Sequence, residues 1–260
     1  MTNRLIHLLR TLWFMVAVAA SCIVLSIPVF IGIFAGQGDR ALPPGLVAWF
    51  WCWFRAPGVR PVILGREHIE PYRGRPLILV GNHQSAMDIP ILILASHGRI
   101  RFLAKKSLFW VPIVGWIMKL TGFTAIDRKS ARKTRPALEA ALLKITRGRN
   151  HWVIFPEGTR STTPELLPYH RGTFNFARQA GVPIVPFALD GGGALMPKGA
   201  WSPSAGTMTL VIGEPILVED VARLSPDELL VRARTFTESA LARLRRQADP
   251  TTPPGGPARS

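Results

Sequence analysis

The chain has 260 residues, 48% of them apolar and only 18% charged, against about 25% charged in an average soluble protein. That balance excludes a mostly disordered chain, and 23 glycines and 23 prolines without a repeat exclude a fibrous one. Thirty-two Lys and Arg against 16 Asp and Glu leave a formal charge of +16, so anions are the expected partners: nucleic acid, anionic lipid, a phosphorylated substrate or an acidic protein.

Residues 11–36 (TLWFMVAVAASCIVLSIPVFIGIFAG) carry no charge, and Asp39 is the first acidic residue. About 20 apolar residues suffice to cross a bilayer as a helix. Arg4 and Arg10 precede the run, as in a signal peptide. The apolar part exceeds the roughly 7–15 residues of a signal core, and no small-residue cleavage site follows. A retained membrane segment is therefore expected. The next stretch, GQGDRALPPG, has the composition of a turn. Leu46 to Phe54 then forms a second apolar run, with Trp49, Trp51 and Trp53. It is too short to span and suits the headgroup level. Two arrangements stay open: one spanning helix followed by an interfacial helix, or a hairpin dipping into one leaflet. Arginines flank both sides, so charge asymmetry does not choose between them. Cys22 and Cys52 are the whole thiol inventory. Their spacing suggests no zinc site and at most one disulfide, which fits a reducing, cytosol-facing location.

From Pro61 onward, short apolar runs alternate with amphipathic stretches. PVILG, PLILVG, IRFLA, WVIFP, IVPFAL and MTLVIG read as buried strands. Helices are predicted near 87–97, 134–147 and 170–180. A last helix is announced by Ser225, Pro226, Asp227 and Glu228, an S-x-x-E capping box with Pro at the first helical position. The fold class is α/β, a mixed, largely parallel sheet flanked by helices behind an N-terminal hydrophobic helical anchor. The predicted divisions are a membrane-associated segment over 1–58, an α/β domain over 59–247 and a disordered tail over 248–260.

The sequence has no G-x-x-x-x-G-K-[ST] loop, no G-x-S-x-G elbow and no H-E-x-x-H helix. Gly191–Gly193 reads as a plain flexible turn. The cluster Asn82-His83-Gln84-Ser85-Ala86-Met87-Asp88 follows an apolar strand, where α/β proteins place sites. Five residues turn a straight helix by about 500°, so His83 and Asp88 would not share a helix face. With His83 in the strand-to-helix turn and Asp88 in the first helical turn, they meet. The carboxylate then fixes the imidazole tautomer and leaves the other nitrogen as a base. The alternative is an N-capping cluster on a surface helix. FPEGTRS, residues 155–161, also follows a strand; it offers a carboxylate at Glu157, close backbone approach at Gly158 and a guanidinium at Arg160. A turn closed by a salt bridge is the structural alternative. GFTAIDR, residues 122–128, adds Asp127 and Arg128.

These blocks occur in order: N-H-Q with His83-x4-Asp88, GFTAIDR, FPEGTRS and VPIVP from Val182 to Pro186. Together with Lys105-Lys106-Ser107-Leu108-Phe109-Trp110-Val111-Pro112, they resemble the glycerolipid acyltransferases, specifically the bacterial 1-acyl-glycerol-3-phosphate acyltransferases. The resemblance covers roughly residues 60–215. One departure is His170 in YHRGTF, where members of the family often carry Lys; Arg171 beside it would keep the charge. The resemblance implies transfer of a fatty acyl group from acyl-CoA or acyl carrier protein to the sn-2 hydroxyl of lysophosphatidic acid, without metal or cofactor. It implies His83 and Asp88 as the catalytic pair, and Arg128, Arg160 and Lys105 as ligands of the acceptor phosphate. Glu157, Gly158 and Thr159 would orient the substrate, Glu157 by holding Arg160 or the glycerol, and FPEG backbone N–H groups would serve the oxyanion.

A lipid acceptor implies a site at the membrane surface, with Trp110 and Trp116 at headgroup depth and the +16 charge facing anionic lipids. The expected location is the bacterial inner membrane, catalytic domain in the cytoplasm. Competing readings are an acyltransferase for lyso-ornithine lipid or another lysophospholipid, and a non-catalytic basic membrane-binding protein. The basic residues are dispersed and no DNA-binding motif is present, so nucleic acid is not an expected partner.

Overall fold

The computed structural model describes residues 2–126 and 131–248. Two antiparallel helices open the chain, α1 (Thr2–Phe34) and α2 (Gly38–Arg55). The turn is confined to Ala35–Gln37, so the GQGDRALPPG stretch is a correction: most of it is helix, despite Pro43 and Pro44. Contacts along the pair hold it together. Trp49 Nε1 donates to the Val18 carbonyl at 3.2 Å, and Phe14 meets Trp53 edge-on at 5.7 Å. Leu42 and Phe54 are buried. Leu8–Phe34 is long and apolar enough to cross a membrane.

Seven strands follow: β1 (Val59–Leu64), β2 (Ile78–Gly81), β3 (Ile100–Lys105), β4 (Thr124–Ile126), β5 (His151–Ile154), β6 (Ile184–Asp190) and β7 (Gly206–Ile212). Six match the apolar runs; the three-residue β4 carries no such run and was not foreseen. The sheet order is β1-β7-β6-β2-β5-β3-β4. β6, β2, β5, β3 and β4 are mutually parallel. β7 is antiparallel to β6, and β1 runs with β7. The mixed, largely parallel α/β class is thus the observed one.

Helices cover both faces. One face packs α2 and α3 (Asp88–Ala95) against a core containing Phe54, Leu79, Ile91 and Phe187. The other packs α5 (Ala131–Thr146), α6 (Arg171–Ala180) and α9 (Pro226–Ala248) around Ile78, Trp152 and Phe174. The α9 capping box is formed: Ser225 N–H donates to Glu228 Oε2 at 2.8 Å and Glu228 N–H to Ser225 Oγ at 3.2 Å. Among the described residues, the remaining α-helices are the short α4 (Val114–Leu120), α7 (Gly192–Leu195) and α8 (Val218–Arg223). An apolar cavity of about 80 Å³ lies where α1 and α2 meet α4, lined by Val29, Leu46 and Ile117 among others. The tail after residue 248 lies outside the described residues.

Candidate active site

The five parallel strands put their C-terminal ends at one edge of the sheet, and the sequence clusters following β2, β5 and β6 converge there. β2 ends at Gly81, paired with Phe187 of β6. The buried Asn82 locks the next step: its Nδ2 donates to the Leu189 carbonyl and its Oδ1 accepts the Leu189 N–H, both at 2.8 Å. Residues 83–87 then turn sharply into α3, whose first residue is Asp88.

His83 and Asp88 meet across that turn. His83 Nδ1 lies 2.7 Å from Asp88 Oδ2. The same oxygen accepts the N–H groups of Gln84 at 2.7 Å and Ser85 at 2.8 Å. Asp88 is fully buried, and three donors on one oxygen offset the cost of burying its charge. An ionised carboxylate only accepts, so Nδ1 carries the proton and Nε2 presents a lone pair. The imidazole also stacks on Phe155 at 4.0 Å and 14°, and Phe155 rests edge-on against Phe187. The imidazole is thus oriented by one bond and one face, with 11% of its side chain open to solvent.

The FPEGTRS turn is tied to the same histidine: Ser161 N–H donates to the His83 carbonyl at 2.8 Å. Gly158 adopts a left-handed φ of 67°, a conformation that costs other residues a clash. Its N–H closes the turn on the Phe155 carbonyl at 3.1 Å, which removes it from the oxyanion donors; the Thr159 and Arg160 N–H groups have no hydrogen-bond partner among the described residues. Glu157 is buried, and neither carboxyl oxygen has a side-chain hydrogen-bond partner among the described residues. Burial pushes its carboxyl up to about 7; the His83 backbone N–H opposes this and the Asp88 charge adds to it. Glu157 does not hold Arg160: no ion pair joins them among the described residues. Arg160 is half-buried and available to an anion.

Lys105 ends β3 at the same sheet edge, exposed. Asp127 and Arg128 lie outside the described residues. Arg171 is a correction: its Nε reaches Asp227 Oδ1 at 2.9 Å, an exposed pair at the start of α9, so it does not supply charge to the site. The His170 ring instead lies against Gly158, where an added Cβ would sit 3.4 Å from Cδ2.

Sequence reasoning also missed the role of Gly191–Gly193. It is no plain turn: Gly191 (φ 82°) is the N-cap of α7, and a Cβ on Gly192 would sit 3.1 Å from Asp88 Oδ1 and 3.2 Å from Ser85 Cβ. Ser85 Oγ donates to the Met196 carbonyl at 2.9 Å, fastening this segment onto the turn that carries His83. The signal was three consecutive glycines after a strand, a pattern that marks close backbone approach as readily as flexibility. Among the described residues no group of three or more His, Cys, Asp or Glu is placed to hold a metal ion.

The family model described as Acyltransferase matches residues 60–190, the span that carries the dyad and both turns. The chain is 34% identical over 226 residues to a 1-acyl-sn-glycerol-3-phosphate acyltransferase of Chlamydomonas reinhardtii, covering 84% of this chain and 66% of that protein. It is 32% identical over 179 residues to the protein of that name from Saccharomyces cerevisiae, covering 68% and 58%. The chain thus spans less than two thirds of the length of these relatives. The crystal structure of the 1-acyl-sn-glycerophosphate (LPA) acyltransferase from Thermotoga maritima superposes with a TM-score of 0.79 at 27% identity, covering 93% of this chain and 97% of that one.

Proposed function

The chain belongs to the acyltransferase family, and on that footing we propose that it transfers a fatty acyl group from acyl-CoA or acyl carrier protein to the sn-2 hydroxyl of lysophosphatidic acid, forming phosphatidic acid. The observation that carries the reading is the His83–Asp88 pair at 2.7 Å with the FPEGTRS turn bonded to His83. In the proposed step, His83 Nε2 takes the proton of the acceptor hydroxyl as its oxygen attacks the thioester carbonyl carbon. The new C–O bond forms, the C–S bond breaks, and the imidazolium returns the proton to the departing thiolate. Asp88 stabilises the imidazolium it already orients. The reaction requires no enzyme nucleophile, metal or redox group.

Arg160, half-buried in the turn bonded to His83, would bind the acceptor phosphate, with Lys105 and Arg128 as further candidates. Glu157, Gly158 and Thr159, which precede Arg160 in the same turn, would orient the glycerol. α1 supports membrane attachment, and a cytosolic thioester calls for a catalytic domain on the cytoplasmic side of the inner membrane. The anionic lipids of that surface complement the +16 charge.

The test is transfer of radiolabelled acyl groups from acyl-CoA to lysophosphatidic acid by the full chain and by His83→Ala. Loss of a general base lowers turnover by about a hundredfold or more. A folded variant within tenfold of the wild type would remove His83 from the mechanism.

A further inference from the structure

We infer that the loop 196–205 docks on an anionic phospholipid bilayer through Trp201, as a contact additional to the N-terminal helices. The inference rests on the membrane attachment proposed above. Trp201 is 75% exposed, although tryptophan carries one of the largest apolar surfaces of any side chain. Its loop, MPKGAWSPSA, has one charge, the exposed Lys198, and no acidic residue. An indole beside an ammonium suits the level where headgroups meet acyl chains.

Position supports this occupant. The loop lies between the end of β6 and the start of β7, at the edge that holds His83. It is fastened at two points. Its first residue, Met196, accepts the Ser85 hydroxyl from the catalytic turn. Ser202, next to Trp201, shares a 2.8 Å hydrogen bond with Thr11 of α1. That bond makes the loop continuous with the apolar outer face of α1, where Leu8, Leu9, Leu12 and Trp13 are exposed. At the same sheet edge, the segment after β3 exposes Trp110 at 75%, with Lys119 5.5 Å above its ring. Residues 2–34, 105–120 and 191–205 contain no Asp or Glu. Three acid-free segments thus expose tryptophan, and the loop is the one that also grips the catalytic turn. Docking through Trp201 would seat the dyad at a fixed height above the lipid that carries the acceptor.

The experiment uses the full chain with Cys22→Ser and Cys52→Ala, a nitroxide on Trp201→Cys, and vesicles of phosphatidylglycerol and phosphatidylcholine. The label at 201 is expected to become accessible to oxygen and shielded from a water-soluble nickel chelate. A label on Arg149→Cys, at the opposite sheet edge, is expected to stay chelate-accessible. Trp201→Ala is expected to raise KM for vesicle-borne lysophosphatidic acid about fivefold, with Trp201→Phe recovering part of the loss and KM for a monomeric short-chain acceptor unchanged. A 201 label that stays chelate-accessible on vesicles overturns the inference. So does one shielded only on adding acyl carrier protein or more of this chain, which would assign the loop to a protein partner. If no acceptor is acylated the proposed activity fails, and the depth measurement still decides the docking.

Discussion

A buried carboxylate with three donors and a buried carboxyl with almost none stand side by side at this site, and they do different work. At Asp88, the groups of His83, Gln84 and Ser85 all donate to one oxygen. Glu157 has no side-chain partner, and burial raises it to about 7. Of the first arrangement, the His83–Asp88 contact was legible in the sequence as one of two open readings, beside an N-capping cluster; the Gln84 and Ser85 donors were not, because spacing does not show where backbone N–H groups point. The second arrangement was not legible: FPEGTR reads equally well as a Glu–Arg salt bridge, and only the packed structure separates the two groups. A pH dependence follows. Below the ordinary glutamate value of 4.5, Glu157 is neutral in both folded and unfolded chains. Between 4.5 and about 7 the unfolded chain loses this proton while the fold keeps it, so stability falls as pH rises, and the loss is complete above about 7. Glu157→Gln removes that dependence. Denaturant unfolding should show the variant roughly 1–3 kcal/mol more stable than wild type at pH 8, the gap closing as pH falls to 4.5. A gap constant with pH would mean that Glu157 ionises normally in the fold.

At the scale of elements, the apolar runs located six strands because a strand covered on both faces needs continuous apolar side chains. β4 escaped because it is a three-residue edge strand paired only with β3. α2 was misread at its start because Pro43 and Pro44 normally break helices. Packing overrides that preference: Leu42 is buried, Gly45 seats Val29, and Gly98 lets α3's end approach the Pro43 backbone. The same kind of close fit places α7 on the catalytic turn. A side chain at Gly192 would press on Asp88 Oδ1, Ser85 and Met208. Overpacking of this sort costs about 1–3 kcal/mol, a loss the fold can survive. Displacing Asp88 misaims His83, and small misplacements at a reacting centre are expensive. Gly192→Val should therefore lower kcat by about tenfold or more while melting remains cooperative. Turnover within twofold of wild type would show that the α7 contact does not position the dyad.

For the whole molecule, the packing of α2 bears on the two membrane arrangements that the sequence left open, and the hairpin is the one we propose. α1 is long enough to span, but it is not free to do so alone. It is clamped to α2 from Phe14 against Trp53 at one end to Gly32 against Ala41 at the other. α2 in turn buries Phe50 and Phe54 in the same core as α3 and the sheet. A perpendicular crossing by α1 would pull α2, and with it the α/β domain, into the hydrocarbon. There the exposed charges of the domain would each cost several kcal/mol. A hairpin lying in one leaflet would bury the outer apolar face of α1 and keep the domain in water. The proposed cytoplasmic thioester then places both ends of the hairpin on the cytoplasmic side. With Cys22 and Cys52 replaced, a single cysteine at Asn3→Cys should be protected from an impermeant thiol reagent in intact cells and should react once the cells are opened. Labelling of intact cells at that position would restore the spanning helix, and would require the α1–α2 clamp to open in the membrane.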